Sequence, residues 1–107
     1  MTMEIDDLVR PAATNPHTTP IFRVGRCVTT IGVHDLICKG EVDPHELLRR
    51  HQSCDWGEIH TLDRALNQHS LVDRAMVMSV YKVGDHTIWV ITDAGWQTTT
   101  LLLPYEY

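Results

Sequence analysis

Positive charge is scarce in this chain of 107 residues: nine Lys and Arg stand against fourteen Asp and Glu, for a formal net charge of −5. A dedicated nucleic-acid binder concentrates lysine and arginine on one face, and no such patch is seen. The acidic residues are scattered, which also falls short of the dense carboxylate array of a DNA mimic. Cysteine is sparse and odd in number, with Cys27, Cys38 and Cys54. No regular disulfide framework can be drawn from three, which points to a reducing compartment. No apolar run is long enough to span a bilayer. The start, Met1-Thr2-Met3-Glu4, has neither the basic nor the apolar region of a signal peptide. A cytoplasmic protein without membrane contact is the expectation.

What the chain does have is 43% apolar residues, enough for one modest core. The richest part is the last third. Arg74 to Val83, His86 to Asp93 and Trp96 to Leu103 are dense in Val, Ile, Thr, Tyr and Trp, which suit a pleated packed surface. Gly84-Asp85 and Asp93-Ala94-Gly95 divide them, and connections that short make the neighbours antiparallel. Alternation assigns Met76, Met78, Val80, Ile88, Val90, Thr99, Leu101 and Leu103 to a core face. The opposite face then carries Val77, Ser79, Tyr81, Thr87, Trp89, Ile91, Thr98, Thr100 and Leu102.

Upstream, Pro11, Pro16 and Pro20 make residues 1 to about 20 an arm and leave 21–107 as the single domain. Ile21 to Thr29 reads as a first strand, interrupted by Gly25. Three short helices follow. Thr30 caps Ile31 to Lys39, which Gly40 ends. Asp43-Pro44-His45-Glu46 opens the second with an N-cap, a proline at the first helical position and an acid three residues on. Thr61 caps a third, to about Ser70, with Leu62, Ala65 and Leu66 on its buried side. The fold class is therefore α+β: a four-stranded, mainly antiparallel sheet ending in a three-stranded meander, with three short helices packed on it.

Several segments combine in an order that resembles a known group. They are Phe22-Arg23-Val24-Gly25, Leu47-Leu48-Arg49-Arg50-His51, Asp55-Trp56-Gly57-Glu58, Asn67, Ser79-Val80-Tyr81, Ile88 to Asp93 and Thr98 to Tyr107. In these the chain is similar to small uncharacterised bacterial proteins associated with plasmids and other mobile elements. That family usually has Gly where Cys54 stands and Pro near Ile31. The resemblance implies a genomic setting and a fold, and it carries no reaction or cofactor.

No complete constellation for chemistry appears. His51, Cys54 and His60 lack the ligand number and spacing of a structural zinc site, so no metal is expected. His51, Asp55 and Glu58 are the one candidate acid/base group, since a carboxylate can orient an imidazole, but no nucleophile or oxyanion hole accompanies them. Trp56, Gly57 and Asn67 read as structural. Tyr81, Trp89, Ile91 and Leu102 on the second sheet face, with Arg49 and Arg50 as a small basic spot, are the binding candidates. The function expected is a non-catalytic accessory protein that binds another protein, such as a host-defence complex, with a homodimer as one form of that binding. The alternative is a small toxin-like ribonuclease working through His51 and Asp55.

Overall fold

The computed structural model describes residues 2–5 and 20–107. Five strands form one mixed, mainly antiparallel sheet: β1 (Thr2–Glu4), β2 (Arg26–Thr30), β3 (Val77–Val83), β4 (His86–Thr92) and β5 (Thr98–Leu102). Their spatial order is β1-β2-β5-β4-β3, antiparallel throughout except where β2 lies parallel to β5. Three helices, α1 (Ile31–Cys38), α2 (Pro44–Gln52) and α3 (Thr61–Asp73), fall between β2 and β3, and a 3-10 turn (Pro104–Glu106) ends the chain.

The fifth strand corrects the count read from the sequence. Thr2–Glu4 pairs with Val28–Thr30, so the first residues of the arm belong to the sheet edge; an ion pair between Glu4 and Arg26 accompanies the pairing. Residues 6–19 of that arm lie outside the described residues. The first strand is also shorter than expected. Gly25 has φ +64°, and a Cβ there would meet the backbone oxygen of Gln97 at 2.3 Å. The chain therefore bends at Gly25, and Ile21 to Val24 run as a separate segment along the end of α2, held by Ile21 N–H donating to Gln52 O at 2.8 Å.

The meander forms, but its first strand is turned over. Val77, Ser79 and Tyr81 face inward with Ile88, Val90, Thr92, Thr99, Leu101 and Leu103, whereas Met76 is 45% exposed. The tight turn at Gly84-Asp85 dictates this. It pairs Val83 with His86, and the ladder then pairs Tyr81 with Ile88, Ser79 with Val90 and Val77 with Thr92. Directly paired residues share a face, so Met78 and Val80 must join Trp89 and Ile91 on the other side. Tyr81, expected on the binding face, is thus a core residue, 1% exposed.

Helices α1 and α2 cover the inner face. Asp43 Oδ1 accepts from the N–H groups of His45 and Glu46, Pro44 stands at the first position, and Pro44, Leu47, Leu48 and His51 line one buried stripe. Glu46 does not turn back to complete a capping box; its carboxylate goes to Arg49. At α1, the first turn is closed from the far end of the chain. The Glu106 carboxylate accepts from Thr30 Oγ1, Gly32 N–H and Leu103 N–H. Burial alone would raise its pKa, but these three donors outweigh burial and hold it below the usual carboxylate value.

Helix α3 departs most from the sequence reading. It begins one residue past His60, runs to Asp73, and buries Asn67 and Ser70 instead of Leu62, Ala65 and Leu66. The reason lies in the free edge of β3. Asn67 Nδ2 donates to Met78 O at 2.7 Å while Asn67 Oδ1 accepts from Met78 N–H at 3.0 Å, one amide replacing a whole ladder rung. Two residues along, Val80 N–H donates to Trp56 O and Val80 O accepts from Glu58 N–H, a parallel bridge opposite Gly57. A Cβ on Gly57 would lie 2.0 Å from Val80 O. An unpaired edge strand recruits other chains, and this one is sealed by a side chain and a loop.

Two substitutions test the seal. Asn67→Ala leaves the N–H and C=O of Met78 without partners and is expected to cost about 2 kcal/mol or more. Gly57→Ala combines a left-handed backbone with the clash and is expected to cost about 3 kcal/mol or more. Urea unfolding of both variants, with light scattering to follow aggregation, checks this; a loss below about 0.5 kcal/mol in both would contradict it.

Candidate functional site

Of the residues that the sequence marks for chemistry, His51 is the most informative, because the fold buries it completely, at 0% exposure. It sits in the last turn of α2, and its ring points at the inner face of the sheet. Nδ1 lies 2.6 Å from Ser79 Oγ on β3, and Nε2 lies 2.9 Å from Thr92 Oγ1 on β4. Thr92 Oγ1 is 2.6 Å from Thr99 Oγ1 on β5, and Thr99 Oγ1 donates to Val24 O at 2.8 Å.

Counting protons along this row fixes every direction in it. Val24 O can only accept, so Thr99 donates its one proton there. Thr99 must then accept from Thr92. Thr92, its proton committed, must accept from His51, which therefore carries hydrogen on Nε2. Nδ1 is left as an acceptor, and Ser79 donates to it. Burial drives the imidazole pKa down from 6.5 to about 3, so the ring stays neutral and this single tautomer holds at physiological pH. The Phe22 ring meets the imidazole edge-on, centroids 5.1 Å apart, and closes the remaining side.

A hydroxyl donating to a neutral imidazole is also how a serine nucleophile is prepared. Here Ser79 and Thr92 are both 0% exposed. A substrate has no approach to either atom, and the row serves to lock four elements and the Val24 segment together.

The remaining members of the proposed acid/base group lie elsewhere. Asp55 is exposed and takes two hydrogen bonds from Arg50, at 2.7 and 3.3 Å. The Arg50 guanidinium holds its carboxyl below the usual carboxylate range, helped by Gly57 N–H. The Asp55 backbone oxygen accepts from Tyr81 Oη at 2.7 Å, and burial pushes that phenol's pKa upward. Arg50 also stacks over the Tyr81 ring, its Cζ 4.5 Å from the centroid. Glu58 meets β3 only through its backbone N–H. His51, Asp55 and Glu58 are therefore neighbours in sequence that do not assemble: the His51 ring bonds Ser79 and Thr92, the Asp55 carboxylate bonds Arg50, and Glu58 is held through its backbone. Arg49 is likewise bound, to Glu46 at 2.6 and 2.9 Å, so no free basic spot is formed. Trp56, 2% exposed, packs with Phe22 and Val77. Among the described residues no three His, Cys, Asp or Glu side chains come together in a way that could hold a metal ion.

The binding candidates divide between the two faces. Tyr81 is in the core. Trp89, Ile91 and Leu102 share the outer face with Val28, Met78, Val80 and Thr100, and neither apolar cluster beneath the helices includes any of them. Ile91 (6%), Leu102 (4%) and Val28 (7%) are buried within that face, whereas Met78, Val80, Trp89 and Thr100 are half-exposed upon it. The Tyr107 ring stands edge-on to Trp89, 5.7 Å between centroids. The site candidate that remains is this patch centred on Trp89, on a middle strand.

Sequence reasoning missed the polar row and the Glu106 clamp. Alternation already puts Thr99 and Thr92 in phase with Val90 and Leu101, and Ser79 joins them once the two-residue turn is used to set the register of β3. Compared with family models, curated proteins and solved structures, the chain finds no match. Among the described residues no helix is long and apolar enough to cross a membrane.

The buried imidazole has a pH signature. Its folded-state pKa is near 3 and a free histidine's is about 6.5, so on acidification the unfolded chain takes up a proton that the folded chain refuses. The contribution is full above about pH 6.5 and falls by up to ~1.4 kcal/mol per pH unit as pH drops below it, towards the folded value. Denaturant melts at several pH values between 7.5 and 4.5 should show that slope in the wild type, and His51→Leu should remove it. Equal slopes in the two proteins would contradict the assignment.

Proposed function

We propose that this protein is a non-catalytic accessory protein of a plasmid or phage-like element, acting in the cytoplasm by binding another protein through the outer face of its sheet. Interference with a host defence complex is the concrete form of that role. The observation that carries the reading is the placement of Trp89. It stands half-exposed on a middle strand, flanked by Met78 and Val80 and backed by buried Ile91 and Leu102. Large aromatic side chains held on rigid elements supply most of the energy at protein interfaces, and the threonines around it provide a polar rim. The resemblance to plasmid-associated proteins supports the setting. The sealed state of His51 and the capture of Asp55 by Arg50 leave the ribonuclease alternative without an assembled site.

Tagged wild-type protein should capture a defined partner from its native host, and Trp89→Ala should weaken that capture by about 30-fold or more while leaving thermal stability nearly unchanged. Partner binding that survives Trp89→Ala and Val80→Asp together would contradict the site. RNA cleavage by the purified wild type that disappears in His51→Ala would contradict the class.

A further inference from the structure

Helix α3 leaves an apolar stripe in water. Leu62 is 73% exposed, Leu66 63% and Val72 84%, and Met76, just beyond the helix, 45%. On the other described helices only Ile31 is a large apolar residue exposed to that degree. The buried side of α3 is defined by Asn67 and Ser70, bound to the β3 edge and to the helix itself. The opposite side carries Leu62, Ala65, His69 and Val72, at alternating spacings of three and four. That is the seam spacing of two helices packed side by side.

The seam is complementary to itself in one register. Consider two copies of α3 run antiparallel, with the two-fold axis level with Asn67. Leu62 then meets Val72 of the second copy, and the small Ala65 meets the bulkier His69, twice over by symmetry. The same register sets Asp73 level with the second copy's Thr61, in the first turn of its helix; within its own chain Asp73 Oδ1 accepts from Ala75 N–H at 3.2 Å and Oδ2 lies 3.8 Å from His69 Nε2, on the seam side. That terminus has Asp63 in its first turn, but His60 at the N-cap makes no side-chain cap hydrogen bond, so its N–H groups still take a further acceptor. A carboxylate there complements the positive end of the helix dipole.

We infer that the outer stripe of α3 is a self-association surface, on which a second copy of this chain packs its own α3 antiparallel. The occupant is fixed by the self-complementary order of large and small side chains and by the acid that reaches the uncapped helix start. The contact is distinct from the sheet face assigned to the partner protein, so the two bind independently. Thirteen residues of helix span about 20 Å, and a single helix pair falls below the roughly 800 Å² per partner of a standard interface. The dimer is therefore reversible and concentration-dependent.

Sedimentation velocity from about 5 to 500 µM tests this. The wild-type mass should rise from the chain mass of 12.2 kDa towards twice that value. Leu62→Glu combined with Val72→Glu alters only exposed positions, and should remain monomeric throughout with an unchanged circular dichroism spectrum. Asp73→Lys should move the midpoint to a concentration about 3-fold or more higher, while Asp73→Glu should not. Trp89→Ala should dimerise like the wild type, which separates this contact from the sheet face. A wild type that is monomeric at every concentration overturns the inference. So does a dimer that persists in the Leu62/Val72 variant, or one that Trp89→Ala abolishes, since the second copy would then sit elsewhere.

Discussion

One row of hydrogen bonds holds the layers of this protein in a single arrangement. Ser79, His51, Thr92, Thr99 and the Val24 carbonyl come from β3, α2, β4, β5 and the segment before β2. Apolar packing between a helix and a sheet tolerates small slides. A buried polar row does not, because a displaced member leaves an unpaired group in a dry interior, at about 1–3 kcal/mol each. The row has the right number of protons for the right number of acceptors only if the imidazole is neutral with hydrogen on Nε2. Its specificity therefore depends on the same burial that keeps the ring uncharged.

Several other polar groups are used in closure. Asn67 and the Trp56–Glu58 loop occupy the edge of β3, Asp43 opens α2, Glu106 fastens the chain end to the start of α1, and Arg50 ties Asp55 to the Tyr81 ring. A side chain already bonded within the fold has little left for a substrate. Thr29 Oγ1 and Trp56 Nε1 are buried without a hydrogen-bond partner; the apolar surfaces left over are the Trp89 patch on the outer sheet face and the stripe along α3. These two surfaces are the ones on which we propose a partner protein and a second copy of the chain to dock.

Much of the build was legible in the residues. Asp43-Pro44 fixed the start of α2, the two turns fixed the meander, and the fold class followed. The face of β3 is also legible: the apolar residues Met76, Met78 and Val80 point to the opposite choice, but the pairs that a two-residue turn imposes, Val83 with His86 onward, put Val77, Ser79 and Tyr81 inward. Other features had no local signal. The pairing of Thr2–Glu4 needs β2 already in place. Helix α3 shows leucines at helical spacing whichever way it faces, and only the β3 edge, far along the chain, makes Asn67 the inward residue. The site followed the same pattern: His51 was singled out, but its partners come from strands 28 and 41 positions away.

The most direct test is nitrogen-detected NMR of the His51 ring. A ring locked in the buried row is a neutral imidazole with its proton on Nε2, hydrogen-bonded and protected from exchange, and unchanged from pH 7.5 down to about pH 5. A ring protonated on both nitrogens in that range, or one carrying its proton on Nδ1, would contradict it.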